Sequence, residues 1–357
     1  MENKRVNKMR EAMRERELRA MLITNPINRR YMTGFTGSAG YVLITEQDAF
    51  LLTDFRYMAQ APQQAKGFTV VEHGAKPMDT VRELLASANI KEVGFEQDSV
   101  TFGTHSAYAD ALQSVELKAV SGIVEQLRMF KDEEEIAVMQ RAADLADATF
   151  SHVLQFAKPG MTEREVDLEM EFFMRKHGAT SSSFDTIVAS GERSAMPHGV
   201  ASSKVIGQNE LITFDFGALL DGYCSDLTRT IATGTPVPEL RKIYDIVLEA
   251  QLHTLENLKP GMTGREADAL ARDIIAGHGY GDQFGHSTGH GLGMEVHEAP
   301  RLSKLSDDVL KPGMVVTVEP GIYIDGLGGV RIEDDVVITE TGIHILTKSD
   351  KKFTVIG

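Results

Sequence analysis

Short apolar runs, separated by Gly, Pro and polar turns, dominate the first third of the chain. Ala20–Thr24, Tyr41–Thr45, Phe50–Thr53, Phe68–Val71 and Glu92–Glu96 each have the length and apolar content of a strand. They follow a charged amphipathic start and alternate with helical patterns, so a small α/β domain is expected up to the break at Ser121-Gly122. From Asp132 the period changes. Ile136, Met139, Ala143, Ala146, Phe150 and Val153 fall on one helical face behind the acidic start Asp132-Glu-Glu-Glu135, which suits a helix N-terminus. That long helix opens a second domain, and the division is placed at residues 1–124 and 125–357.

The second domain repeats itself. Lys158-Pro-Gly-Met-Thr-Glu-Arg-Glu-Val-Asp167 recurs as Lys259-Pro-Gly-Met-Thr-Gly-Arg-Glu-Ala-Asp268, and His177-Gly178 recurs at the same offset as His278-Gly279. In each copy a Thr stands three residues before a Glu, the capping-box spacing that starts a helix. His177 and His278 read as structural. The repeat continues into strands, where Thr213-Phe-Asp-Phe-Gly217 matches Thr317-Val-Glu-Pro-Gly321 and Gly222-Tyr-Cys-Ser-Asp226 matches Gly329-Val-Arg-Ile-Glu333.

Each half therefore carries a hairpin with one carboxylate on each strand. Asp221-Gly222 is a two-residue turn signal, and pairing outward from it sets Asp215 opposite Thr228. Asp226, two residues from Thr228, shares its face and becomes a diagonal neighbour of Asp215. Two such acids among Phe214, Phe216 and Leu227 would repel one another and suffer desolvation unless a cation lay between them. Glu319 and Glu333 are the matching pair, with Arg331 on the face of Glu333. Phe284–Glu298 adds His286, His290 and His297 in a glycine-rich setting. Cys224 falls on the acid-bearing face, where it is either a soft ligand or a small packed group.

Charge and composition narrow the classes. A formal net charge of −15 argues against a nucleic-acid partner. No stretch approaches the length of a membrane span, the N-terminus lacks a signal-peptide pattern, and a single cysteine agrees with a reducing, cytosolic location.

These motifs resemble the pita-bread-fold metallopeptidases, which include methionine aminopeptidase, aminopeptidase P and prolidase. The resemblance spans the whole chain. It implies an α+β architecture: a C-terminal pita-bread domain with internal pseudo-two-fold duplication, behind a smaller creatinase-like N-terminal domain of the aminopeptidase P and prolidase type. It implies two divalent metal ions held by Asp215, Asp226, His290, Glu319 and Glu333, with manganese ahead of cobalt or zinc. It implies hydrolysis of the bond before proline by a hydroxide bridging the ions, with Glu319 also shuttling a proton. His198 and His297 match histidines that contact the substrate and stabilise the intermediate, and His286 matches one lining the proline pocket. Tyr323 and Arg331, grouped with the substrate-binding residues, resemble a pair that helps hold Asp215. Arg301 matches the prolidase-like arginine that binds the free carboxylate of a dipeptide. Xaa-Pro dipeptides are thus the expected substrates, with aminopeptidase P acting on longer Xaa-Pro peptides as the alternative and a non-catalytic binding protein of the same fold behind both. A homodimer is implied too, in which Asp54, Arg56 and Tyr57 either reach a neighbouring subunit or serve the structure.

Overall fold

The computed structural model describes residues 3–356, in two compact units that divide between Arg128 and Met129. In the first unit, Ala20–Ile23 is fully buried because all four side chains are apolar. It pairs antiparallel with Tyr41–Thr45 and parallel with Glu92–Glu96, inside a six-stranded sheet completed by Ala49–Thr53, Thr69–Glu72 and Glu116–Val120. The first five strands fall where the apolar runs place them. The sixth, Glu116–Val120, was not anticipated: it is an edge strand, and its sequence Glu-Leu-Lys-Ala-Val leaves most of its side chains partly or fully exposed. The helix Lys4–Glu15 begins where the Asn3 side chain accepts from the Arg5 and Val6 amides.

Asp54 and Arg56 form a bidentate pair, both bonds 2.8 Å, and the guanidinium holds the Asp54 carboxyl at about 2. The Tyr57 hydroxyl lies 2.7 Å from Ser38 Oγ. All three polar side chains thus have partners within their own unit.

The second unit opens on the helix Glu133–Phe156. Its start is a full capping box, in which Asp132 and Glu135 each accept from the other's backbone amide. Both repeated helices, Glu163–Lys176 and Gly264–Gly277, begin on the anticipated Thr-to-Glu boxes, and His177 and His278 occupy their C-caps. The repeat differs at its first helical position, Glu163 in one half and Gly264 in the other. A Cβ on Gly264 would lie 2.1 Å from the Arg301 carbonyl oxygen and 2.5 Å from Ser306 Oγ, so backbone packs on backbone there. Gly264→Ala is expected to cost about 1–3 kcal/mol through overpacking, read as a lowered urea midpoint at unchanged m-value. An unaltered midpoint would show that the strand Glu298–Leu302 can yield.

The first hairpin has the register that its turn dictates. Leu220 pairs with Tyr223 and Asp215 with Thr228, while Asp221 and Gly222 take φ of 50° and 92°, the left-handed pair that a tight hairpin turn needs. The ladder breaks at Gly217, where a Cβ would come 1.7 Å from the Ser225 carbonyl oxygen. Leu211–Phe216 and Leu227–Thr233 therefore lie in one sheet, and the tip lies in another. The second hairpin is paired differently. Val318 faces Asp334 and Gly321 faces Arg331, a register that continues to set Glu319 directly opposite Glu333 instead of diagonally.

Phe214, Phe216 and Leu227 bury their side chains with Val166, Met170 and Phe150 from the helices of the first half. Val316, Val318 and Val336 pack with Ala267 and Leu255 in the second. Burial of each large apolar side chain contributes about 1.5–3 kcal/mol, and this fixes the faces on which the acids emerge.

Candidate active site

Strand alternation turns Asp215 away from its neighbours Phe214 and Phe216, into a cavity of about 630 Å³. Asp226, His290, Glu319 and Glu333 line the same cavity, as do His198, His286, His297, Arg301 and Arg331. Tyr323 does not line it. Its hydroxyl lies 2.8 Å from His286 Nε2 and 2.7 Å from the Arg331 Nη1 that donates to it. It thus supports His286 and Arg331.

One ligand atom each from Asp226, His290 and Glu333 lie within 4.8 Å of one another. The Glu319 carboxylate joins this group through His290, whose Nε2 stands 3.3 Å from Glu319 Oε1 and 3.7 Å from Asp226 Oδ2. His290 Nδ1 is 3.0 Å from the Gly291 carbonyl, which can only accept. The proton therefore sits on Nδ1, and Nε2 aims a lone pair at the acids. Burial agrees, lowering the His290 pKa to about 4.

Asp215 enters through Arg331, whose Nη2 donates to its Oδ2 while Nε donates to Thr228 Oγ1 at 3.2 Å. Thr228 in turn donates to Glu333 Oε2, so one guanidinium steadies acids from both halves. Asp335, which the repeat aligns with Thr228, accepts from the Asp226 amide at 2.9 Å. Each half thus supplies, two residues past its own acid, the group that holds the other half's acid. The sequence placed Thr228 opposite Asp215 but gave no sign of its contact with Glu333, and it gave Asp335 no role. The run Glu333-Asp334-Asp335 leading into Val336-Val337-Ile338 was the available signal, because buried acids on an apolar strand need a reason.

The electrostatics are those of a cation site. Burial, reinforced by repulsion from neighbouring acids, raises the Asp226, Glu333 and Asp335 carboxyls well above their ordinary range. Burial likewise pushes Glu319 up to about 8. Asp215 Oδ1, Asp226 Oδ1, Glu333 Oε1 and Asp335 Oδ1 are buried without a hydrogen-bond partner. Oxygens of this kind cost heavily to bury unless a cation takes their lone pairs, so the donor set fits divalent metal. Cys224 does not join it. Its buried thiol points at the Met294 carbonyl, 3.8 Å away, and burial pushes it up to about 12.

The remaining cavity residues differ in how they are held. His286 uses both ring nitrogens, Nδ1 to the Ser287 carbonyl at 2.8 Å and Nε2 to Tyr323, and burial lowers its pKa to about 4. His198, His297 and Arg301 are exposed to the cavity, and their side chains make no hydrogen bond or ion pair among the described residues.

Residues 137–340 match the model of metallopeptidase family M24, and residues 5–130 match that of the creatinase/prolidase N-terminal domain. A protein named Xaa-Pro dipeptidase from Pyrococcus furiosus is 41% identical over 349 residues, 98% of this chain and 99% of its own length. A structure titled Xaa-Pro dipeptidase from Bacillus anthracis superposes with a TM-score of 0.97 at 53% identity, covering 99% of each chain. One titled X-Pro aminopeptidase from Thermotoga maritima gives 0.92 at 40% identity, covering 97% of this chain and all of that one. Buried acids from two duplicated hairpins, a histidine with its lone pair among them, and a family model matched over more than half the length lead to one assignment: the chain belongs to metallopeptidase family M24 and carries a creatinase/prolidase N-terminal domain.

Proposed function

We propose that this metallopeptidase hydrolyses Xaa-Pro dipeptides, and the observation that carries the reading is Arg301. Its guanidinium stands unpaired on the wall of the cavity that holds the acids, on the strand residue that pairs directly with His290. A substrate that ends one residue past the scissile bond presents a free carboxylate inside the same cavity, and a guanidinium grips a carboxylate bidentately. Relatives named for dipeptides support the same reading.

Two divalent ions fit the charge. Five carboxylates, four buried (Asp215, Asp226, Glu333 and Asp335) and Glu319 partly exposed, less the guanidinium of Arg331 leave four formal negative charges, which two divalent cations cancel. Carboxylate oxygens in the majority favour hard ions, manganese first. When bound, such ions lower the pKa of water and polarise a carbonyl. Asp215, Asp226, His290, Glu319 and Glu333 hold them. Glu319 takes a proton from the attacking water and passes it to the proline nitrogen as the bond breaks. His198 and His297 present N–H groups to the oxyanion, and Arg301 fixes the far end of the substrate. His286, with both nitrogens engaged, offers its ring face to the pyrrolidine.

The Thermotoga neighbour's title favours a second reading, removal of the first residue from longer Xaa-Pro peptides. Hydrolysis of Ala-Pro, Ala-Pro-Ala and Met-Ala-Ser with added manganese separates the two. Turnover of Ala-Pro alone is expected; turnover of the tripeptide Ala-Pro-Ala at a similar kcat/KM would replace the first reading with the second. Arg301→Ala is expected to raise KM for Ala-Pro by roughly 10- to 100-fold, as loss of a charge-assisted contact does, with kcat little changed.

We also propose a cytosolic homodimer. The single buried cysteine supports the location, and the resemblance supports the dimer. Among the described residues no helix is long and apolar enough to cross a membrane.

A further inference from the structure

We propose that Glu163 is the positioning residue for His198, acting through the segment 190–202; the inference rests on the role given to His198 above. Glu163 is the first residue of its helix, directly after the capping Thr162, and its side chain is completely buried. The position is favourable for a carboxylate because the amides of the first turn carry partial positive charge.

The two oxygens of Glu163 divide the work. Oε1 accepts from the Ser190 amide at 2.8 Å and from Ser190 Oγ at 2.9 Å. Oε2 accepts from the Ser202 amide at 3.1 Å, from Ser202 Oγ at 2.6 Å and from Arg193 Nε at 3.1 Å. One carboxylate thereby clamps both ends of the segment that carries His198. Arg193 extends the clamp inward, donating from Nη2 to the Val200 carbonyl at 2.6 Å. The imidazole of His198 has no hydrogen bond of its own among the described residues. Its place in the cavity therefore depends on this backbone alone.

The second half does the same job with a different residue. There Gly264 occupies the Glu163 position, and the buried acid is Asp268, one turn further along the repeated helix. Asp268 Oδ1 accepts from the Thr288 amide at 3.0 Å and from Thr288 Oγ1 at 2.9 Å, two residues before His290. Its partner Arg272 donates to the Phe284 and His286 carbonyls at 2.9 and 2.7 Å. Asp167 keeps the Asp268 position in the first half, but it is only partly buried there, and the acid that fastens the segment is Glu163 instead. What the halves share is an acid and an arginine that fasten a histidine-bearing segment to the helix.

The test is a cycle of Glu163→Gln and His198→Ala, separately and together, assayed on Ala-Pro with manganese and by thermal unfolding. Glu163→Gln is expected to lower kcat roughly tenfold, the scale of a misplaced catalytic group, with KM within about twofold of the parent. In the His198→Ala background the same change is expected to lower kcat less than about twofold, because the residue it positions is gone. Arg193→Met, at a partly exposed site, loosens the same segment if Glu163→Gln does not fold, and the same non-additivity is expected. Losses that multiply in the double variants would overturn the positioning role while leaving His198 its own. A His198→Ala protein with parental kcat would overturn the reading of His198 and this inference together.

Discussion

Asp226→Asn is expected to lower kcat/KM on Ala-Pro by roughly a thousandfold or more and to reduce bound manganese. The same change is expected to raise the thermal stability of protein stripped of divalent ions. The loss follows because several kcal/mol of transition-state stabilisation depend on the ions being held, and each 1.4 kcal/mol is a factor of ten. The gain in stability follows from the cavity's own charges. Asp226 is buried, its Oδ1 has no partner, and Glu333, Asp215, Asp335 and Glu319 all repel its ionised form. An amide of the same shape removes one of those charges without opening a hole. Manganese content by elemental analysis and unfolding by calorimetry in chelator measure the two halves. Parental activity would remove Asp226 from the ligand set, and a lower melting temperature in chelator would sink the charge account.

The sign with pH follows from the same groups. Glu319, raised to about 8, keeps its proton in the folded protein where the unfolded chain has lost it. Asp226, Glu333 and Asp335 shift in the same direction. Between about pH 6.5 and 8 the stripped protein folds with more protons than the unfolded chain holds, so its stability falls as pH rises. Below the ordinary imidazole range His286 and His290, both lowered to about 4, work the other way, since the unfolded chain then takes up protons that the fold refuses. Saturating manganese is expected to flatten the fall above pH 6.5, because bound cations keep the carboxylates ionised in the folded state.

Much of this site could be read from the sequence because its geometry is local. A strand has a period of two, and the Asp221-Gly222 turn admits one tight register. Together they placed Asp215 against Thr228. The two Thr-to-Glu capping boxes are equally local, and both formed. What escaped detection depends on contacts between segments far apart in sequence. The break at Gly217 arises because the Ser225 carbonyl needs the space, and glycine alone does not announce a bend. The second hairpin's tip is longer than a two-residue turn, so matching its acids to those of the first half by repeat alignment left their register undetermined. The edge strand Glu116–Val120 exists because Glu92–Glu96 offers it a partner, not because its own pattern demands one. Tyr323 and Arg331 were seen through resemblance, yet only the hydrogen bonds show Arg331 reaching both Asp215 and, through Thr228, Glu333.

Arg331→Met is expected to act on the stripped protein in the opposite direction to Asp226→Asn, destabilising it by about 3–5 kcal/mol, the cost of leaving one partner of a buried ion pair alone. Both side chains of the Arg331–Asp215 pair are largely buried, and Asp215 Oδ1 already lacks a partner. Methionine fills much of the arginine's volume, so packing is not the main loss. What remains is a second unpaired oxygen on Asp215, beside acids whose repulsion nothing on this side of the cavity offsets. Thr228 loses the donor that orients it toward Glu333, and Tyr323 loses the donor that keeps its hydroxyl directed at His286. Urea unfolding in chelator is the measurement, with Asp226→Asn/Arg331→Met as the arbiter. Removing one negative and one positive charge restores the formal balance, so the double variant is expected to recover part of the stability that Arg331→Met loses. If the two single variants shift the midpoint in the same direction, or if the double variant is simply the sum of two losses, charge balance is not what Arg331 contributes, and its role reduces to the geometry of its three hydrogen bonds.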